Sequence, residues 1–166
     1  MDYIAERSVV KTYLKDLLVH EKVIEMKDYI QHGSITTYHH CFDVAVMSYI
    51  IAKKLGVQNV CMKELLVGAM LHDFYLYDWH DGRLRREGLH GFSHPVTAKN
   101  NADKYFDLDE KELNIIESHM FPLTITKVPK SREALIVGIA DKYCATKETV
   151  LGIVEKLSFK QSLNKA

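Results

Sequence analysis

The sequence has few of the features that mark secreted or membrane proteins. Its three cysteines, Cys41, Cys61 and Cys144, include no CxxC pair and are odd in number, so a disulfide framework is not indicated. No apolar run approaches the roughly 20 residues needed to cross a bilayer, and residues 1–20 show no apolar segment typical of a signal peptide. We therefore expect a cytoplasmic protein without a membrane partner.

The sequence also lacks an excess of either charge. Lys+Arg and Asp+Glu are equal at 22 each, which removes any global argument for a nucleic-acid partner. With 47% hydrophobic and 27% charged residues, the composition is typical of a folded globular domain. No internal repeat, low-complexity segment or Pro/Gly/Ser-rich linker divides the chain, so residues 1–166 are predicted to form a single domain.

The pattern of apolar residues predicts helices and no convincing strand, so the predicted fold class is all-α, a bundle of about six to eight helices. Residues 3–31 are predicted to be helical in two pieces, broken near His20, and 33–37 to form a loop. Residues 38–55 carry apolar residues on nearly all sides, as in a buried central helix. Their stripe Val44, Met47, Ile51 and Leu55 ends before Gly56, a natural C-terminal stop.

Further helices are predicted from capping residues and periodicity. A third helix covers 61–73, and an irregular insert follows over 74–93. Pro95 suits the first position of a helix that runs to about residue 106. Asp109 is predicted to cap a helix that reaches residue 119, and Ser131 to cap the last helix, ending near residue 157.

Nine histidines are unusual, and several are predicted to point inward together with aspartates. His40 lies one turn before Val44, and His119 follows Ile115 by four positions. The adjacent pair His72 and Asp73 ends an apolar helix, where two polar side chains are costly unless something satisfies them. Asp141 shares a face with four small or apolar residues, Ala134, Val137, Gly138 and Ala145.

Such a nitrogen-rich set with carboxylates suits a transition metal such as zinc, iron, manganese, nickel or cobalt rather than calcium. A metal in this pocket would lower the pKa of a bound water towards roughly 7. His39 is an alternative to His40. Its stripe runs through Phe42, Val46 and Tyr49 to Lys53, so it is predicted to pack or to face the edge of the cleft. His20 and His32 are interpreted as surface or structural residues, and Cys41 as a small packing residue.

These residues resemble a known family. The segment His40-Cys-Phe-Asp-Val-Ala45, then His72-Asp73, then Ala140-Asp141 is similar to the H…HD…D signature of the HD-domain metal-dependent phosphohydrolases, over roughly residues 36–150. The resemblance implies that His40, His72, Asp73 and Asp141 bind a first metal ion. Stretches 72–80 and 119–124 also resemble those of HD proteins from Firmicutes.

Two further histidines resemble those of two-metal HD proteins, such as HD-GYP cyclic-dinucleotide phosphodiesterases and diadenosine tetraphosphate hydrolases. This resemblance implies that His94 and His119 complete a second site and that Asp73 bridges two ions, whose shared hydroxide attacks phosphorus. The sequence departs from the subfamilies with known substrates. It has Leu76 where many members carry lysine, and it lacks both the GYP motif and the HDxxED pattern.

The sequence therefore predicts a metal-dependent phosphohydrolase acting on a nucleotide or another phosphorylated small molecule. Asp73, His72 and Asp43 are candidate catalytic residues, the last as a proton-transfer group. Candidate substrate-binding residues are Arg83, Arg85, Arg86, Lys142 and His90, although the arginine run and His90 are more typical of a solvated loop. Tyr75, Tyr77 and Trp79 can stack a base or simply cover the core.

Two alternatives share the predicted metal site. One is an oxygenase with a di-iron HD site, and the other is a signalling module that binds a nucleotide without cleaving it. The sequence indicates no specific nucleic-acid partner, and it is compatible with a homodimer.

Overall fold

The structure is a computed structural model that describes residues 3–81 and 90–163, with the backbone alone for residue 90 and residues 159–163. Within these residues the fold is all-α, as predicted. The helices are α1 (Tyr3–Tyr13), α2 (Lys15–Leu18), α3 (Glu21–Ile24), α4 (Thr37–Lys54), α5 (Met62–Leu71), α6 (His90–Tyr105), α7 (Glu110–Ser118) and α8 (Arg132–Leu163), with a 3₁₀ turn at Glu25–Asp28.

The N-terminal segment differs from the prediction. The break near His20 is confirmed, since the His20 side chain caps α3 by accepting from the Lys22 amide at 3.2 Å. Helical structure ends at residue 28, however, and a short antiparallel pair follows, β1 (Ile30–His32) and β2 (Ile35–Thr36). Gln31 of β1 is buried while Ile30 is exposed. The apolar–polar alternation is thus inverted, which is why the pattern did not predict a strand.

Helix α4 is the central helix of the fold, as its apolar pattern predicted. It begins where Thr36 accepts a hydrogen bond from the His39 amide at 3.4 Å, and it packs against α5, α8 and α1. Val44 is fully buried on this helix. Leu55, predicted to share that stripe, is 71% exposed because it lies at the C-terminal cap, beyond the last packed turn.

The two capped helices agree with the sequence. Asp109 and Glu112 form a reciprocal capping box at the start of α7, and Ser131 accepts from the Ala134 amide at the start of α8. Helix α8 ends at residue 163, six residues later than predicted. It carries exposed apolar side chains over residues 150–157, so the periodicity weakens there and the end is hard to locate from sequence.

The beginning of α6 was predicted wrongly. The helix starts at His90 rather than at Pro95, which lies inside it. Proline lacks an amide proton, so only the hydrogen bond that would reach the Gly91 carbonyl is lost, and this carbonyl lies near the helix end. Across the described residues, no helix is both long and apolar enough to span a membrane.

Candidate metal centre

His40 lies in the first turn of α4, and two carboxylates of α8 contact its ring. Its Nε2 is 3.2 Å from Asp141 Oδ1, and its Nδ1 is 2.9 Å from Glu148 Oε2. The imidazole is fully buried. Both ring nitrogens of His40 are therefore engaged by acidic side chains spaced seven residues apart on one helix.

His72 and His119 occupy equivalent positions, each directly after the last residue of a helix, α5 and α7 respectively. His72 Nδ1 is 2.7 Å from the Ala69 carbonyl oxygen, and His119 Nδ1 is 2.7 Å from the Ile116 carbonyl oxygen. A carbonyl can only accept, so both Nδ1 atoms carry the proton. In the neutral form of each ring, Nε2 is then the nitrogen that carries the lone pair, and it lies towards the cluster.

Asp73 and His94 complete the cluster. The Nε2 atoms of His94 and His119 lie 2.9 Å apart. The His94 Nε2 is 3.2 Å from Asp73 Oδ1, and the His119 Nε2 is 3.6 Å from it. The other oxygen, Asp73 Oδ2, is 3.5 Å from His72 Nε2 and 3.8 Å from His40 Nε2. The two oxygens of one carboxylate thus face two different pairs of histidines.

Two buried atoms of this cluster lack hydrogen bonds. Among the described residues, nothing meets His72 Nε2 or Asp73 Oδ1 with hydrogen-bond geometry. A buried polar atom without a partner costs about 1–3 kcal/mol. In the part of the chain that the structure describes, four groups of three donors lie close enough to hold a cation: His40, His72 and Asp141; Asp73, His94 and His119; His32, His40 and Glu148; and Cys41, His72 and Asp73. The first two groups consist entirely of predicted ligands. The donor set therefore fits divalent metal ions.

The acidic groups of the centre are held in their charged form. Burial raises the pKa of Asp141, but the hydrogen bond from His40 and the proximity of the His72 imidazole outweigh burial and hold that pKa well below its usual value. The pKa of Asp73 is likewise lowered, because the positive charge of His72 and the contact with His94 outweigh the burial. Charged carboxylates are the form that ligates metals.

The pKa values of two histidines in the centre shift in opposite directions. Burial lowers the pKa of His40, but the hydrogen bonds to Asp141 and Glu148 outweigh burial and raise it to about 10. Burial lowers the pKa of His119 to about 3, with the neighbouring charges of His72 and His94 adding to the effect. His119 is therefore neutral at physiological pH, as a ligand must be.

A polar chain behind Asp73 fixes its orientation. Gln31 Nε2 donates to Asp73 Oδ2 at 2.5 Å, and the Tyr75 hydroxyl donates to Gln31 Oε1. Thr37 lies 3.2 Å from that hydroxyl. The predicted site residues do not include Gln31, because the sequence pattern predicts a helix there rather than β1. They do not include Glu148 either, although the seven-residue spacing from Asp141 places both on one face of α8.

A pocket of about 640 Å³ opens onto this centre. Apolar walls come from Trp79, Met120, Pro122, Leu123 and Ala145, and polar ones include Gln31, His32, Lys142 and Thr146. Lys142 Nζ donates to the carbonyl oxygens of His119 at 3.0 Å and Gly138 at 3.1 Å. The structure therefore places Lys142, a predicted substrate-binding residue, beside the cluster.

Several other predicted residues lie elsewhere. Asp43 forms an ion pair with Arg7 and accepts from the Tyr3 hydroxyl at 3.4 Å, so it packs against α1 and does not line the pocket. This position does not support its predicted role as a proton-transfer group. Arg83, Arg85 and Arg86 lie outside the described residues, as does the side chain of His90.

The remaining histidines and aromatics are also located. His39 Nδ1 is 2.8 Å from Thr36 Oγ1 and lies outside the cluster. His32, interpreted as surface or structural, is half-buried and lines the pocket, with its ring edge-on to His40 at 5.4 Å. Trp79 lines the same pocket, whereas Tyr75 and Tyr77 stack on one another at 4.8 Å. Cys41 is fully buried, as expected.

Comparison with known proteins agrees with this geometry. No curated protein and no solved structure matches the chain. A sequence model of one family, described as the HD domain, matches residues 37–146, which include all six clustered histidines and aspartates. The chain therefore belongs to the HD domain family, within the superfamily of metal-dependent phosphohydrolases.

Proposed function

We propose that this protein is a metal-dependent phosphohydrolase that cleaves a phosphoester or phosphoanhydride of a nucleotide or another small molecule. The observation that carries the proposal is the position of Asp73, whose two buried oxygens face separate histidine pairs. Membership of the HD domain family supports the same class of reaction.

Two ions are proposed, with Asp73 shared between them. His40, His72, Asp73 and Asp141 would hold the first, and Asp73, His94 and His119 the second. Mixed imidazole and carboxylate donors favour iron, manganese, nickel, cobalt or zinc. When bound, such ions supply Lewis acidity that neutralises charge on phosphoryl oxygens and makes hydroxide available near neutral pH.

The chain's own residues bind and orient the substrate. Two of the three N–H donors of Lys142 bind carbonyl oxygens, which leaves one for a phosphoryl oxygen. Trp79, Met120 and Leu123 form apolar walls on which the organic part of the substrate can pack and which exclude water. Gln31 holds Asp73 in one orientation, so that each carboxylate oxygen keeps facing its own histidine pair.

The test is turnover of a broad phosphoester panel by the full chain, first stripped of metal and then loaded separately with Mn²⁺, Fe²⁺, Co²⁺, Ni²⁺ or Zn²⁺. We expect hydrolysis with at least one ion and none without. Asp73→Asn should lower kcat by at least about 100-fold, the scale set by lesser changes around metal ligands. Asp43→Asn is the matched control, since Asp43 pairs with Arg7 outside the pocket, and it should retain full activity.

Three results would overturn the proposal. The first is absence of hydrolysis of every phosphoester and phosphoanhydride in the panel by protein that demonstrably contains metal. The second is dioxygen consumption by the iron-loaded protein without hydrolysis of any of these substrates, which would identify an oxygenase. The third is a tight, uncleaved nucleotide complex under all metal conditions, which would identify a binding module.

A further inference from the structure

Glu148 lies outside the residues that the family model matches, yet its carboxylate reaches a candidate ligand. Its Oε2 is 2.9 Å from His40 Nδ1, and the residue is only 8% exposed. Asp141, seven residues earlier on α8, contacts the other nitrogen of the same ring at 3.2 Å. Because seven residues make almost two full turns, both carboxylates come from one face of the helix.

The proton in the hydrogen bond between His40 and Glu148 belongs to the imidazole. A carboxylate accepts, so Nδ1 donates and Nε2 is the nitrogen that faces Asp141 and Asp73. Among the side chains that the structure describes, in residues 3–81 and 91–158, no lysine or arginine forms an ion pair with Glu148. The imidazole N–H is therefore the group that satisfies this nearly buried charge.

His40 differs in this respect from two other clustered histidines. His72 and His119 donate to neutral backbone carbonyls, whereas His40 donates to an anion. A carboxylate partner raises the basicity of the imidazole that it holds and fixes its orientation. Of these three histidines, His40 alone has a side chain as the partner of its Nδ1, so a single substitution of Glu148 removes this hydrogen bond.

We propose that Glu148 is a positioning residue that holds His40 with its Nδ1 protonated and its Nε2 directed at the first metal ion, and so sets the affinity of that ion. The inference rests on the proposed metal centre and deepens it. Loss of such an outer carboxylate lowers metal affinity by about 10–100-fold.

The first experiment measures Mn²⁺ affinity by calorimetry for wild type, Glu148→Gln and Glu148→Ala. Glu133→Gln is the matched control. Glu133 is a buried carboxylate on the same helix that accepts from the Cys61 amide at 2.9 Å and pairs with Lys111, away from the cluster. We expect the alanine variant to bind the ion of the first site, which includes His40, about 10–100-fold more weakly. The glutamine variant, which keeps an acceptor, should lose less, and the control should match wild type.

A double-mutant comparison separates positioning from general destabilisation. If Glu148 acts through His40, adding Glu148→Ala to His40→Ala should produce no further loss of affinity. Additive losses would overturn the proposal, because they would mean that Glu148 acts on the centre by another route. Equal affinities of wild type and folded Glu148→Ala would overturn it too.

A spectroscopic readout does not depend on metal binding. In protein labelled with ¹⁵N-histidine, the His40 Nδ1–H should give a low-field, slowly exchanging signal, which Glu148→Ala abolishes and Glu133→Gln leaves unchanged. If wild type binds no ion, the proposed metal centre fails, and this signal still reports whether Glu148 holds His40. A signal that persists in Glu148→Ala would contradict the assignment.

Discussion

At the residue scale, the two carboxylate oxygens of Asp73 divide the centre into two halves. Asp73 Oδ2 faces His40 and His72, and Oδ1 faces His94 and His119. Asp73 is the member shared by both halves. Loss of one histidine from either half should therefore remove one ion and leave the other in place.

This expectation gives a test of stoichiometry. We predict that His94→Ala lowers the metal content from about two ions per chain to about one, because its Nε2 lies among the second set of donors only. Atomic emission on protein purified from metal-supplemented medium would measure it. His39→Ala is the control, since His39 contacts Thr36 outside the cluster. Equal metal content in the His94→Ala variant and wild type would contradict the two-ion arrangement.

The raised pKa of His40 predicts how the metal-free protein responds to pH. Because this pKa is about 10 in the folded chain against 6.5 ordinarily, protonation stabilises the fold. The stabilisation is complete below pH 6.5 and disappears as the pH rises towards 10. We expect the free energy of unfolding to fall by at least about 1 kcal/mol more for wild type than for His40→Gln over that interval.

Urea denaturation at a series of pH values, in the presence of a chelator, measures this difference. Parallel pH profiles for wild type and His40→Gln would show that His40 contributes no such linkage. His39→Gln serves as the control, since its side chain lies outside the cluster and should leave the profile of the wild type unchanged.

At the scale of elements, sequence predicted the helices that carry a strong signal. Helix α4 has apolar residues around its whole circumference, and α7 has a capping box. The centre could be located because its six candidate ligands lie on or beside such helices. Two features of the centre could not be predicted, because they depend on tertiary contacts. One is the inverted burial of β1, which places Gln31 behind Asp73, and the other is the contact of Glu148 with His40, which is far away in sequence.

Helix packing gives a prediction at this scale. Gly68 of α5 lies against α7, where an added Cβ would be 2.6 Å from Ile115 Cγ2 and 2.8 Å from Ile115 Cβ. Gly68→Ala must push the two helices apart, and we expect it to destabilise the fold by about 1–3 kcal/mol. Because His72 and His119 follow α5 and α7, the same change should also weaken metal binding.

Gly152→Ala on α8 is the matched control. A Cβ there meets the Gly33 Cα at 3.6 Å, an ordinary contact, so the change should stabilise the helix by about 0.5–1 kcal/mol. Thermal denaturation of both variants measures the contrast. Equal stability of the two alanine variants would show that the α5–α7 contact tolerates separation.

At the scale of the whole molecule, the centre joins five helices, α4, α6 and α8 directly, and α5 and α7 through the residues that follow them. Any ion bound there should therefore stabilise the entire fold. A ligand at 100 times its Kd contributes about 2.7 kcal/mol, and for a chain of this size that corresponds to a rise in Tm of about 5–10 °C.

We expect this rise when the correct divalent ion is added to stripped protein, followed by differential scanning fluorimetry. Asp141→Asn should reduce the rise, whereas Asp43→Asn should preserve it, since Asp43 pairs with Arg7 on α1. Unchanged Tm values with every ion tested would contradict the link between the centre and global stability.

The position of His72 and His119 at the ends of α5 and α7 has one more consequence. The C-terminus of a helix carries about half a negative charge from its unpaired carbonyls, and two such ends point at a centre that already holds Asp73 and Asp141. The helix ends and the two carboxylates favour a cation at the centre. If the proposed ions bind there, we expect a phosphorylated substrate to bind more tightly after the ions than before them.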